Sequence, residues 1–297
     1  IAQAAAQPAQ GSRSEALEAM SAALRSTIAA HLVSDVPVGI FLSGGLDSAL
    51  IAALVHEHGG TPRSLTLGFA EYAGTHDDEV PHAQSLARAL GTQHDSICVR
   101  RSDFTAQCEQ LLAAMDQPSI DGVNTWFVAR AAASVGIKVA LSGLGGDELF
   151  ASYPSFRQVP QLVRWMHPLS RIPGLGALMR RVTEPCVRHG TSPKIAGLIE
   201  YGGTTEGAYL LRRCLHMPWE LPRVMDPDMA RAGWQALQTM DGLARTTRAV
   251  TRAVTRATAG PAKDRLAVSA LEMSWYMRHQ LLVDADWAGM AHSLEMR

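Results

Sequence analysis

The stretch V-P-V-G-I-F-L-S-G-G-L-D-S (residues 36–48) decides the fold. Its first seven residues (36–42) are a short β-branched and aromatic run, which predicts a buried strand. Ser43-Gly44-Gly45 interrupts the run, and residues 49–56 resume with the pattern of a helix. The stretch therefore predicts a strand, a glycine turn and a helix in immediate succession.

The same alternation of elements continues on both sides of this stretch. Before it, Ser12-x-x-Glu15 is a capping box that opens a predicted helix reaching residue 32. After it, the patterns predict strand 64–69, helix 80–90, strand 94–99, helices 103–115 and 124–135, and strand 137–141. Strands and helices that alternate at this spacing are typical of β-α-β units, so the predicted fold class is α/β, a parallel sheet with flanking helices.

The strand signal fades after about residue 160, and helical patterns follow at 227–258 and 264–295. We therefore predict three parts: a linker at 1–12, an α/β core at 13–160, and a mainly helical remainder at 161–297 that packs against the sheet.

The composition excludes several functional classes. The 297 residues include 27 Lys and Arg against 28 Asp and Glu, a formal net charge of −1, which argues against a protein held on nucleic acid by phosphate contacts. The sequence contains no apolar run of about 18 residues that would cross a membrane, and its N-terminus lacks the pattern of a signal peptide. A hydrophobic content of 47% predicts a soluble globular protein, and we expect it in the cytoplasm.

The cysteines and histidines show no metal-binding spacing. The four cysteines include no C-x-x-C pair, so we predict buried free thiols in a reducing compartment. His94 could reach a site, but a histidine satisfied by hydrogen bonds at a strand end is the favoured interpretation. Glu295 and Arg297 fall on the last predicted helix; we favour a structural role for Arg297 and leave Glu295 open.

Ser43 to Ser48 carries the chemistry of an anion site. Its glycines permit close backbone approach to a ligand, and the N-terminus of the following helix supplies N–H groups and a positive dipole end. Asp47 fits beside a phosphate only if a divalent cation lies between the two. The alternative is a plain strand–turn–helix connection.

A second segment, Ser142 to Glu148, repeats this arrangement of strand, serine–glycine loop and acidic residues. Because both loops follow parallel strands, we expect them at the same edge of the sheet. Asp147 would then join Asp47 around one Mg²⁺ on a polyphosphate. The alternative is that Asp147 and Glu148 merely cap a helix.

Five strings together resemble one family. Residues 36–48 resemble the pyrophosphate loop of N-type ATP pyrophosphatases, in particular the C-terminal synthetase domain of glutamine-dependent asparagine synthetases. L-S-G-L-G-G-D-E-L-F-A-S-Y-P-S-F resembles that family's second ATP motif. A-L-G-T-Q-H, D-Q-P-S-I-D-G and M-A-H-S-L-E-M-R resemble further family segments, so the likeness covers about residues 14–297.

The resemblance implies an activity and a set of site residues. The activity is asparagine synthesis: aspartate attacks the α-phosphate of ATP to give an aspartyl-adenylate and pyrophosphate, and ammonia then displaces AMP. ATP and Mg²⁺ are the implied cofactors. The implied catalytic residues are Asp47, Asp147 and Glu148, of which Asp47 and Asp147 hold the metal. The implied ATP-binding residues are Leu42 and Leu67 near the adenine, and Ser43, Gly44, Gly45, Asp47, Ser48, Ser142 and Gly143 near the phosphates.

Four departures from the family pattern leave the acid substrate open. Leu144 stands where asparagine synthetases usually have a glutamate. Segment 118–125 offers Asp121, Asn124 and Thr125 rather than an arginine. The usual Gly-Gly-Tyr reads Ala151-Ser152-Tyr153, and the family's Lys-x-Asp-Arg reads Asp284-Ala285-Asp286-Trp287, which loses two cations. The candidate substrate-binding residues are Asp121, Asn124, Thr125, Leu144 and Tyr153.

Two other functions therefore remain beside asparagine synthesis. One is amidation of a different carboxylate, such as a sugar acid or a peptide-like precursor. The other is a non-catalytic nucleotide-binding remnant.

The family's glutaminase half, with its N-terminal nucleophilic cysteine, has no counterpart in the sequence, and both ends look cut from a longer chain. We expect the partners to be a small carboxylic acid and free ammonia, with no nucleic acid and no membrane. A homodimer is kept as a candidate, and the sequence leaves the oligomeric state open.

Overall fold

The computed structural model describes residues 11–187, 192–253 and 260–297. The described chain divides into two compact units. An α/β unit contains residues up to Gly146 together with Met277–Arg297, and a helical unit contains Asp147–Tyr276.

The α/β unit is built on a parallel sheet of five strands. These are β1 (Val38–Phe41), β2 (Arg63–Phe69), β3 (Gln93–Val99), β4 (Val139–Leu141) and β5 (Glu295–Met296). Their order across the sheet is β3-β2-β1-β4-β5, and every neighbouring pair is parallel. Gly39 of β1 pairs with Arg63 on one side and Ala140 on the other, so β1 lies at the centre of the sheet.

Helices cover both faces of this sheet, as a parallel sheet requires. They are α1 (Arg13–His31), α2 (Leu46–Glu57), α3 (Val80–Ala89), α4 (Arg101–Ala114), α5 (Asp121–Ser134) and, near the C-terminus, α14 (Leu282–Ala291). One buried cluster joins Ile40 to Ile28 of α1 and Ala52 of α2. Other clusters join Leu65 and Ala140 to alanines of α5, and Trp126 of α5 to Trp287 of α14.

The helical unit is assembled from shorter helices around its own core. After α6 (Gly146–Phe150), where the division falls, come α7 (Ser155–Ser170), α8 (Leu175–Val187), α9 (Leu198–Tyr201), α10 (Thr205–Arg213), α11 (Pro227–Leu237), α12 (Thr239–Ala253) and α13 (Pro261–Leu271). A π-helix (Glu272–Leu281) follows, and the division into units falls inside it. Val159, Met217, Leu243 and Leu271 are fully buried in the core of this unit.

The α/β fold class, the four predicted strands and the predicted helices of this region are confirmed, with ends shifted by a few residues. The capping box is also confirmed, because the Glu15 N–H donates to Ser12 Oγ while the Glu15 carboxylate accepts from the Ser12 N–H. Helix α2 begins at Leu46 rather than residue 49, so Asp47 and Ser48 lie in its first turn.

The structure differs from the sequence prediction in the second half of the chain. The units divide between residues 146 and 147 rather than at 160, and residues 277–297 return to the α/β unit instead of continuing the helical part. The predicted helix 264–295 is interrupted by the π-helix and ends at Ala291; residues 295–296 form strand β5. The predicted helix 227–258 is divided at Gln238, whose φ of 45° is left-handed, and residues 254–258 lie outside the described chain.

The three cysteines whose side chains the structure describes differ in their exposure. Cys98 is exposed and Cys108 and Cys214 are partly buried, so the prediction of buried thiols is wrong for Cys98, which lies on the edge strand β3. Among the described helices, none is long and apolar enough to cross a membrane.

Leu271→Ala should destabilise the protein by about 2–5 kcal/mol, because it leaves a cavity in a core where Leu271 is fully buried. The matched control is Leu178→Ala in α8, where the side chain is 58% exposed and the change should cost little. Urea unfolding followed by circular dichroism measures both. Equal midpoints for the two variants would contradict the assignment of the helical core.

Candidate active site

The loop after β1 is closed by hydrogen bonds between its own serines. The Ser43 N–H donates to Ser48 Oγ over 3.1 Å, and the two hydroxyl oxygens lie 2.9 Å apart. The Gly45 N–H donates to Ser43 Oγ over 3.1 Å. Ser48 is only 6% exposed, so its hydroxyl shapes the loop from inside. The ATP-binding role that the family resemblance implies for Ser48 stays a prediction.

The N-terminus of α2 opens directly from this loop. Its N-cap residue is Gly45, and no side chain caps the helix. The first N–H groups of a helix lack intrahelical partners, and they point toward a ligand at the positive end of the dipole. The exposed Gly44 lies against the exposed His82 of α3, with 3.3 Å between the position of a Cβ at residue 44 and the His82 Cβ. His82 has no motif around it, and sequence reasoning missed it.

The second loop, residues 142–146, packs directly on the first. A Cβ at Gly143 would lie 3.2 Å from the Asp47 Cβ, and a Cβ at Gly146 would lie 2.5–2.8 Å from the carboxylate atoms of Asp47. Gly146 can therefore only be glycine while Asp47 keeps its place. The prediction that the two loops meet at one edge of the sheet is confirmed, since β1 and β4 are neighbours and parallel.

Arg297, directly after strand β5, fixes the start of the second loop. The Ser142 N–H donates to the Arg297 carbonyl over 2.8 Å, and the Arg297 N–H donates to the Ala140 carbonyl over 2.9 Å. The Arg297 side chain donates to the carbonyls of His31 and Val33, both over 2.8 Å. The structural role favoured for Arg297 is confirmed, and Glu295 accepts from its Nε over 2.6 Å.

The remaining sequence candidates of the α/β unit lie in different settings. Leu42 is 2% exposed and belongs to the core, while Leu67 is half-buried. Leu144 is 41% exposed, and its N–H donates to Ser142 Oγ. His94 lies at the start of β3, where its ring nitrogens are 2.9 Å from Ser64 Oγ and 3.1 Å from Ser96 Oγ. It is the satisfied strand-end histidine that the sequence favoured, and burial lowers its pKa.

Asp121, Asn124 and Thr125 lie on the first turns of α5, where Asp121 and Asn124 are exposed. The Thr125 hydroxyl donates to the Asp121 carbonyl over 3.2 Å. Asp284 of α14 holds Ser119 just before this helix, and Trp287 of α14 lies against Gly122 in its first turn. No local pattern indicates this connection, because Ser119 and Asp284 are 165 positions apart.

Asp147, Glu148 and Tyr153 belong to the helical unit. The Glu148 carboxylate is buried at 1% exposure and accepts from the Tyr153 hydroxyl over 3.0 Å. Burial, together with the charge of Glu148, raises the pKa of Tyr153. The phenol therefore stays protonated and keeps donating, which supports a structural role for Glu148; its catalytic role stays a prediction.

Arg213 of α10 fixes the other side of Tyr153. Its guanidinium carbon lies 4.2 Å from the centre of the Tyr153 ring and 3.9 Å from that of Tyr276. Its Nε donates to the fully buried carboxylate of Glu272 over 2.9 Å. Sequence reasoning missed this arginine because nothing near it in the chain marks it.

Among the described residues, no three His, Cys, Asp or Glu side chains converge as a complete metal site. Mg²⁺ on a nucleotide usually needs only one or two carboxylates in addition to phosphate oxygens. The Asp47 carboxylate, beside an uncapped helix N-terminus and a glycine-lined loop, fits that requirement.

Comparison with known proteins agrees with this geometry. The family model "Asparagine synthase" matches residues 19–297. The chain belongs to the asparagine synthase family.

Curated relatives of the chain are asparagine synthetases and an amidase. A putative glutamine-hydrolysing asparagine synthetase of Mycobacterium tuberculosis is 38% identical over 47% of the chain, and asparagine synthetase 1 of Bacillus subtilis is 32% identical over 59%. The amidase chyE of Penicillium rubens is 30% identical over 49% of the chain. These matches span only 21%, 27% and 24% of the relatives' own lengths.

Gly146→Ala should weaken binding of Mg²⁺-ATP by about tenfold or more, because the added methyl displaces the Asp47 carboxylate. Isothermal titration with a non-hydrolysable ATP analogue measures the change. Gly233→Ala is the matched control, since a Cβ at that helical position meets nothing within 4 Å. Equal affinities for both variants would show that the contact with Asp47 does not shape the site.

Proposed function

We propose that the protein is an ATP-dependent amide-forming ligase that makes asparagine from aspartate and ammonia. The observation that carries the proposal is the meeting of two glycine loops at Asp47, next to an uncapped helix N-terminus. Family membership supports the same activity class.

The reaction begins when the side-chain carboxylate of aspartate attacks the α-phosphate of ATP. Pyrophosphate leaves, and an aspartyl-adenylate forms; ammonia then attacks the acyl carbon and AMP leaves. This chemistry requires charge neutralisation and alignment of two bound substrates more than it requires a protein nucleophile. Backbone N–H groups of the first loop and the dipole of α2 serve that purpose for the phosphates.

Asp47 and Asp147 would hold Mg²⁺. When bound, the ion neutralises charge on the phosphate oxygens. Asp47 is supported by its place between the two loops, and Asp147 by its position in the chain immediately after Gly146. In the same scheme Ser43, Gly44, Gly45, Ser48, Ser142 and Gly143 form the phosphate-binding loops, and the adenine lies near Leu42 and Leu67.

Asp121, Asn124, Thr125, Leu144 and Tyr153 would contact the acid substrate. Leu144 is exposed beside the phosphate loops and has no group that can exchange a proton or hold ammonia. This favours a second candidate, in which the ligase amidates a different carboxylate. Relatives with the names asparagine synthetase and amidase support such variation within the family.

The test is pyrophosphate release from Mg²⁺-ATP and ammonia across a panel of acids that includes aspartate. Release with aspartate together with asparagine formation supports the first candidate, and release only with another acid supports the second. Binding of ATP without pyrophosphate release for any acid would favour the non-catalytic alternative.

Asp47→Asn and Asp147→Asn should each abolish pyrophosphate release and leave the circular dichroism spectrum unchanged, because each removes a charge that would hold Mg²⁺. The control is Glu109→Gln, an exposed carboxylate on α4. Unchanged turnover in either aspartate variant would refute its assignment as a metal ligand.

A further inference from the structure

Asp284 of α14 is a buried carboxylate, 1% exposed, that accepts hydrogen bonds on both oxygens. Its Oδ2 accepts from the Ser119 hydroxyl over 2.6 Å and from Gln280 Nε2 over 3.3 Å. Its Oδ1 accepts from Trp287 Nε1 over 3.0 Å.

The direction of these bonds is fixed by the chemistry of the partners. Ser119 Oγ already accepts from the Gly122 N–H over 3.0 Å and from Gln280 Nε2 over 2.7 Å, so its own proton points to Asp284. An indole N–H can only donate. Both oxygens of Asp284 therefore accept, which is the pattern of an ionised carboxylate, and the bond from Ser119 has the short length of a charge-assisted hydrogen bond.

No ion pair among the described residues involves Asp284. Neutral donors alone compensate for the burial of its charge, and a buried charge is tolerated only when such bonds are in place. Loss of any one donor is therefore costly, and the geometry of the three donors Ser119, Gln280 and Trp287 is tightly determined.

These contacts hold the segment that leads into α5. Gln117 Nε2 donates to the His279 carbonyl over 2.6 Å, and the Ser119 hydroxyl donates to Asp284 Oδ2 over 2.6 Å. A Cβ at Gly122 would lie 2.4 Å from Trp287 Cζ2, so the backbone lies directly on the indole ring. Residues 117–122, which end in the first turn of α5, are thus fixed at three points. Asp121 and Asn124 on the first turns of this helix are exposed.

We propose that Asp284 is a positioning residue that orients the N-terminus of α5 for recognition of the acid substrate. The inference rests on the proposed function for the role of Asp121, Asn124 and Thr125. The proposal also gives a reason for two departures from the family pattern. Asp284 and Trp287 stand where that pattern has cations, and here the Trp287 indole N–H donates to the Asp284 carboxylate. In this chain the two positions form a clamp on the segment before α5.

The first test is Asp284→Asn, which keeps the shape of the side chain but replaces one acceptor by a donor. We expect the KM for the acid to rise about tenfold or more, with the KM for ATP unchanged, because one buried donor loses its acceptor. Glu109→Gln in α4 removes an exposed charge of the same unit and should change neither value. Equal changes in both KM values, or none, would overturn the proposal.

The second test is a double-mutant cycle with Ser119→Ala. Because Ser119 and Asp284 act through one hydrogen bond, the double variant should raise the KM for the acid no more than the larger single effect. If the two effects multiply, the residues act independently and the clamp is refuted.

A third measurement does not depend on catalysis. Hydrogen exchange in Asp284→Asn should become faster at the amides of residues 119–124 and stay unchanged at residues 43–48. Failure of the wild-type protein to release pyrophosphate with any acid would refute the proposed function alone. Unchanged exchange at residues 119–124 would refute the positioning role, whatever the activity.

Discussion

Contact between the carboxylate of Asp47 and the backbone of Gly146 is the constraint on which the candidate nucleotide site depends. Neighbouring parallel strands lie about 4.8 Å apart. Loops that leave β1 and β4 at the same edge must therefore meet within a few residues. A side chain at residue 146 would occupy the place of the carboxylate, so the second loop is glycine where it crosses Asp47. The Asp47 carboxylate can therefore lie where it does because β1 and β4 are neighbours and because residue 146 has no side chain.

Much of the α/β unit could be predicted because its signals are local. Residues 36–42 and 64–69 are apolar runs of strand length, and the glycines that end the first run mark the turn before α2. Ligands bind beyond the carboxyl ends of parallel strands, and Ser43 and Ser142 each follow such a strand. Their proximity at one edge of the sheet could therefore be predicted. The internal bonding of Ser48 could not be predicted, since a hydroxyl in a phosphate loop can point inward or outward with the same sequence.

The C-terminal segment escaped prediction because its structure is decided by distant partners. Residues 295–296 are too few to show a strand pattern, and they form β5 because Lys138 and Ala140 offer carbonyls at the edge of β4. The helical pattern over 264–295 is real along most of its length but does not reveal the π-helix at Glu272–Leu281. Asp284 carries no local sign of its partner Ser119, which lies in a different part of the sequence.

Two buried carboxylates illustrate how differently such a charge can be compensated. Glu272 has a cation, Arg213, together with the hydroxyls of Ser155 and Tyr209. Asp284 has neutral donors only. Each fixes a segment that carries candidate substrate residues, Glu272 through the contact of Arg213 with Tyr153, and Asp284 through the start of α5.

Neither carboxylate is exposed to solvent, so neither can contact the acid substrate and discriminate between acids. In the proposed scheme this discrimination falls to exposed groups such as Asn124 and Leu144, whose side chains can change without disturbing the buried bonds. Under that proposal, substitutions at these two exposed positions can alter the acid substrate while the glycine loops stay the same. Departures from the family pattern at the buried positions, by contrast, alter how the site is held in place.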